Sequence, residues 1–150
     1  MADYEKEKDK KVDDSRFKSL VHDSHVLTWF IRSNVDEFKN SSIEEIRSCL
    51  DIGSNGRTVI GRETEIISPN SRKAIPDTIF ELRLPGSDDR VALLINIEGQ
   101  NNPNPGYPLE KRVEFYASGF VFSQRGIYFK NKDYGNLRKV YSIWYILNLR

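Results

Sequence analysis

A chain of 150 residues is long enough for one α/β domain with a real core, and 38% hydrophobic with 30% charged residues excludes a disordered polymer. The net charge of +1 argues against a protein that coats nucleic acid non-specifically, which needs clustered Lys and Arg, but not against an enzyme whose metal ions supply the positive charge. A single cysteine, Cys49, excludes an internal disulfide and a thiolate metal cage.

One cysteine suits a reducing compartment. The opening MADYEKEKDKK is too charged for a secretory segment, and no apolar run approaches a membrane span, so a cytoplasmic protein is expected. Residues 1–13 read as a charged leader and 14–150 as a single domain. From Asp14, the residues Phe17, Leu20, Val21, Leu27, Phe30 and Ile31 recur at helical spacing, which predicts one amphipathic helix capped by Asp13 or Asp14. SIEEIRSCL predicts a short helix capped by Ser41 or Ser42 with Ile43, Ile46 and Leu50 on one face, and DIGSNG ends it. RTVIGRETEIIS, AIPDTIFELRL and RVALLINIEGQ read as three strands, the first interrupted at Gly61 and followed by a turn at SPNSRK. After the loop NNPNPGYP, the positions Leu109, Val113, Tyr116, Ala117, Phe120 and Val121 predict a long helix ending near Gly126. KVYSIWYILN is apolar on both faces, as in a strand covered on both sides.

The hairpin around PGSDD has one register that segregates its side chains. With the turn centred between Ser87 and Asp88, Leu84 faces Val91, Leu82 faces Leu93, Phe80 faces Ile95 and Thr78 faces Ile97, all on one side. The other side carries Asp77, Ile79, Glu81 and Arg83 opposite Glu98, Asn96, Leu94 and Ala92. A slip of one residue would scramble this arrangement. Asp77 and Glu98 then face each other with Cβ atoms about 4.5–5.5 Å apart, and Gln100 follows on the same face. Two carboxylates this close repel unless a divalent cation sits between them. Mg²⁺ accepts one or two carboxylates, waters and a substrate phosphate.

Pro76-Asp77 followed by Glu98-Gly99-Gln100 resembles the PD-(D/E)xK signature with Gln in the third slot. TEIISP, LINIEGQN, PGYPLEKR and KVYSIW, in that order between about Phe17 and Leu147, are similar to the PD-(D/E)xK nuclease family transposases, relatives of recombination-promoting nucleases. The resemblance implies a restriction-endonuclease-like αβββαβ core, a mixed sheet flanked by helices. It also implies Mg²⁺-dependent DNA cleavage (Mn²⁺ as a substitute), with Asp77, Glu98 and Gln100 as the active-site positions, and it raises the question of a homodimer for double-strand cleavage. Two features depart from the pattern. Lys is usual where Gln100 stands, and Gln hydrogen-bonds a water or phosphate without bringing a cation. Members of that family commonly continue past the final strand, so a C-terminally shortened domain is expected.

Other residues are weighed the same way. Glu65 in TEIIS is either an auxiliary acid or a half-exposed strand residue, and Glu37 in VDEF either a helical acid of the site or a surface carboxylate. Arg112 and Tyr116 share a helix face, which the resemblance places near the site; there Arg112 either grips a phosphate or pairs with Glu110 or Glu114. His22 and His25 read as helix-surface residues rather than ligands, Trp29 and Trp144 as packing, Gln124 and Arg125 as helix-end residues, and Cys49 as a small buried hydrophobe. Three functions stand against one another: a metal-dependent endonuclease, a degenerate nuclease fold that binds nucleic acid or protein, and a structural α/β protein with accidental carboxylates.

Overall fold

The structure is a computed structural model that describes residues 14–62, 66–67, 73–74, 78–88 and 91–147. Helix α1 covers residues 14–22 and helix α2 Ser24–Asn34. The single predicted helix is therefore broken at Asp23. Its carboxylate accepts from the His25 and Val26 amides at 2.9 and 3.4 Å, capping α2, and also takes Arg57 Nε at 2.6 Å. A short carboxylate competes with the helix for backbone N–H groups, which makes Asp a starter of helices rather than an interior residue. Of the two expected caps for the first helix, Asp14 is itself helical, and Asp13 lies outside the described residues. Phe17, Val21, Leu27 and Ile31 are buried as expected, but Leu20 is exposed.

Helix α3, Ile43–Ser48, is capped by Ser42, whose side chain accepts from the Glu45 amide at 3.1 Å; Glu44 and Glu45 in its first turn suit the helix dipole. Ile46 and Leu50 enter the core. Asn55 Oδ1 then accepts from the Arg57 and Thr58 amides at 3.0 and 2.9 Å, and Gly56 takes φ 67°, a conformation that favours glycine. The chain returns antiparallel through bridges Ile52–Val59 and Arg62–Ile79.

Strands β1 (Ile66–Ile67) and β2 (Lys73–Ala74) form a separate antiparallel ribbon. The main sheet has the order β3 (Ile79–Leu82), β4 (Leu93–Gln100), β5 (Lys139–Ile146), with β3 and β4 antiparallel and β4 and β5 parallel. Helix α4, Leu109–Ser123, is the crossover that a parallel pair requires. It stops three residues short of Gly126 because Gln124, fully buried, takes the Arg138 amide at 2.7 Å and donates to the Arg138 carbonyl at 2.9 Å.

The hairpin register agrees with the sequence reading: Ile79 pairs with Asn96, Phe80 with Ile95, Glu81 with Leu94 and Leu82 with Leu93. Phe80, Leu82, Leu93, Ile95 and Ile97 pack with α1, α2 and α3 in one core; Ile79 and Leu94 pack with Phe120 of α4 in another. The alternation stops beyond Leu82. The Arg83 amide bonds the Cys49 carbonyl at 3.1 Å, and the Ala92 amide bonds the Leu82 carbonyl at 2.8 Å. Leu84 therefore packs against the first core and Val91 against the second, rather than sharing a face. On the α4 side, Arg62 pairs with Glu81 at 3.0 Å and Glu81 accepts from the Tyr128 hydroxyl; burial first, then Glu81, push that phenol well above its ordinary pKa. The architecture is mixed α/β, with a three-stranded mixed sheet between helices.

Candidate functional site

Strand alternation puts Asn96, Glu98 and Gln100 on the α4 face of β4. Their parallel partners on β5 are Ser142, Trp144 and Ile146. Gly99, facing the opposite way, lies directly under the Phe17 ring: a Cβ there would stand 2.8 Å from Phe17 Cδ1. This close approach is why a residue without a side chain separates Glu98 from Gln100.

Glu98 is only 7% exposed, and an isolated buried carboxylate is costly. Asn96, also buried, donates from Nδ2 to Glu98 Oε1 at 3.3 Å and to the Thr78 carbonyl at 3.2 Å. Asn96 Oδ1 accepts from Ser142 Oγ at 3.4 Å, and that hydroxyl oxygen accepts from Trp144 Nε1 at 2.9 Å. A polar chain running under the sheet face thus fixes the orientation of the Glu98 carboxylate.

Above Glu98 opens a polar cleft of about 400 Å³ lined by Asp14, Gln100, Asn101, Tyr107, Arg112 and Tyr116, among others. Arg112 Nη1 donates to Tyr107 Oη at 2.8 Å and to Gln100 Oε1 at 3.3 Å. Its guanidinium carbon lies 5.3 Å from the ring centres of both Tyr116 and Trp144, which meet edge to face. Burial by itself would lower the Arg112 pKa, but contacts with Tyr116 and Tyr107 leave it above the ordinary value. Gln100 Nε2 donates to the Asn102 carbonyl at 2.7 Å. Asn101 Nδ2 donates to Asp14 Oδ1 at 3.1 Å, while Asn101 Oδ1 is buried with no hydrogen-bond partner.

The sequence-predicted residues divide into three groups. Glu98, Gln100, Arg112 and Tyr116 come together at this cleft. Glu37 does not: it holds Lys139 Nζ at 2.8 Å and accepts from Tyr141 Oη at 2.7 Å. Lys139 pairs with Leu93, five steps along β4 from Glu98, or about 16 Å. Burial raises the Glu37 pKa but the Lys139 and Tyr141 hydrogen bonds outweigh it and leave it lowered. Asp77 and Glu65 lie outside the described residues, and the pairing is seen as far as Ile79–Asn96. Among the described residues the competing salt bridge of Arg112 with Glu110 or Glu114 is not seen, and Glu114 pairs instead with Lys111 at 3.0 Å.

Asp14, Asn96 and Tyr107 escaped the sequence reading. Asp14 passed as a cap and Tyr107 as loop. Asn96 carried a signal: it is the one amide inside the apolar run of β4, on the same side as Glu98. Two further readings are corrected. His22 is not a surface histidine but bonds the Val59 carbonyl at 2.9 Å and Thr78 Oγ1 at 3.2 Å, edge-on to Phe80. Trp29 is exposed rather than packed. Cys49 is buried, and that burial raises its thiol pKa.

Among the described residues no group of three or more His, Cys, Asp or Glu is arranged to hold a metal ion, and no described helix is long and apolar enough to cross a membrane. Comparisons with family models, with curated proteins and with solved structures give no match.

Proposed function

We propose that the chain is a metal-dependent endonuclease domain of the PD-(D/E)xK type, of mobile-element origin, that hydrolyses phosphodiester bonds in DNA. The observation that carries this reading is the meeting of an oriented, buried carboxylate, Glu98, and an unpaired-by-acid guanidinium, Arg112, in one polar cleft. The register read from the sequence sets Asp77, which lies outside the described residues, opposite Glu98, and the described pairing follows that register as far as Ile79–Asn96.

The donor chemistry fits a hard divalent ion. Asp14 and Glu98 offer carboxylates and Asn101 a buried, unpartnered amide oxygen; among the described residues no imidazole or thiolate lines the cleft. Asp77 and Glu98 would hold Mg²⁺, or Mn²⁺ in its place. When bound, such an ion supplies Lewis acidity toward a phosphate oxygen and lowers the pKa of a coordinated water. The chain's own groups do the rest. Asn96 keeps the Glu98 carboxylate pointed at the cleft, Arg112 draws an anionic phosphate in, and the Tyr116 and Trp144 rings fix the guanidinium plane.

Purified protein incubated with supercoiled plasmid and Mg²⁺ or Mn²⁺ should nick it, and Asp77→Ala should not. Equal nicking by both, or by neither, would sink the catalytic reading. A second reading, a degenerate nuclease fold that binds DNA or protein, draws on the engagement of Gln100 at both ends of its amide. Calorimetric cation titration separates the two, since a degenerate site shows no Asp77-dependent Mn²⁺ binding.

A further inference from the structure

We propose that Arg112 is the phosphate-binding cation of the cleft, and that Gln100 is a positioning residue holding Arg112 rather than a group that meets water or phosphate itself. This rests on reading the cleft as a phosphodiester site, and it assigns the third motif position a different task.

Gln100 has its carbonyl turned to Arg112 Nη1 at 3.3 Å and its amide nitrogen to the Asn102 carbonyl at 2.7 Å. Each end thus already has a protein partner, and the two bonds orient the amide toward Arg112 and Asn102. Arg112 shows the opposite pattern. Both of its described hydrogen bonds, to Gln100 and to Tyr107, leave from Nη1. A guanidinium has five N–H donors, and neither of these two bonds uses the Nε and Nη2 edge. That edge is the fork that matches two oxygens of a phosphate. Among the described residues no carboxylate pairs with it, and Glu114 of its own helix pairs with Lys111 at 3.0 Å. The aromatic rings at 5.3 Å on Tyr116 and Trp144 restrain the plane. Gln100 and Tyr107 therefore hold one side of the guanidinium so that the other side meets the ligand. The cation that a lysine would bring to position 100 arrives instead from α4.

The test measures binding of a short DNA duplex in EDTA, where metal-dependent cleavage is silent, across a salt series, with thermal melts to confirm folding. Arg112→Met should weaken binding on the order of tenfold and reduce the slope of log K against log salt by about one, the signature of one lost phosphate contact. Arg112→Lys should lie between, keeping charge but losing the fork. Gln100→Ala should weaken binding severalfold with the slope nearly unchanged, because the charge remains but is no longer held. If Arg112→Met fails to fold, Gln100→Glu decides: of the same shape, it neutralises Arg112 and must lower both affinity and slope. Unchanged affinity and slope in Arg112→Met, or in Gln100→Glu where that variant decides, overturns the proposal. Cleavage is scored separately in Mg²⁺. A wild type that nicks DNA while Arg112→Met binds and nicks equally well defeats this assignment alone. A wild type that never nicks, yet binds DNA through Arg112, defeats the endonuclease reading and leaves the clamp standing.

Discussion

The Glu98 carboxylate depends on a residue that never reaches solvent. Asn96 spends both amide hydrogens on Glu98 and Thr78 and its oxygen on Ser142. Asn96→Ala should cost about 1–3 kcal/mol of stability, the penalty for stranding buried polar partners, as measured by urea denaturation. It should also lower Mn²⁺ affinity by roughly 10- to 100-fold, as loss of an orienting partner does. Gly99 is equally exacting on the opposite face. Gly99→Ala drives a methyl into the Phe17 ring and should cost about 1–3 kcal/mol by overpacking. The double variant Gly99→Ala with Phe17→Leu should recover part of that loss, and strict additivity would contradict the contact.

The helices carry their instructions in caps, and one cap was hidden. The apolar spacing runs unbroken from Phe17 to Ile31, so periodicity alone reads through Asp23, whose role depends on Arg57, far along the chain. The Arg57 side chain first, helped by the His25 and Val26 amides, holds the Asp23 pKa below its ordinary value against the opposing effect of burial. A carboxylate with a lowered folded pKa contributes stability that is present above its unfolded pKa and lost as pH falls through the folded one. Glu37 shifts in the same direction. Thermal melts of the wild type should therefore fall below about pH 4, and Asp23→Asn should melt lower at neutral pH with a shallower acid decline. An identical acid decline in both proteins would show that Asp23 is not one of the groups responsible. The hairpin was more legible, because an apolar face and a mixed face admit only one register. The expected strand from Ala74 through Leu84 was legible only in part, since Lys73–Ala74 pairs in its own ribbon and Arg83 is drawn off by Cys49. Nothing local announces either event.

For the molecule as a whole, the order helices, strands, helix, strand was readable from changes of period, and the mixed α/β sheet follows it. From the residue pattern alone the candidate cleft was legible only on one hairpin, and the resemblance added Arg112 and Tyr116 of α4. Glu98 and Gln100 were found because alternation assigns them a face. Asp14 and Tyr107, and the grip of Gln100 on Arg112, come from separate parts of the chain, and only the parallel β4–α4–β5 crossover brings residue 112 beside residue 100. The proposed clamp makes a prediction different from that of the motif. Gln100→Lys, which restores the usual lysine, places a second cation against the Arg112 guanidinium and removes its acceptor. It should bind DNA less tightly and melt lower than wild type, whereas improved cleavage would favour the simple motif reading. The endonuclease account as a whole is tested most directly by plasmid nicking in Mg²⁺ with wild type and Glu98→Gln side by side. The account predicts conversion of supercoiled to open-circular DNA by the wild type, abolished by EDTA, and none above background by the folded variant. Nicking that survives the loss of that carboxylate, or a wild type inert in both Mg²⁺ and Mn²⁺, would contradict it.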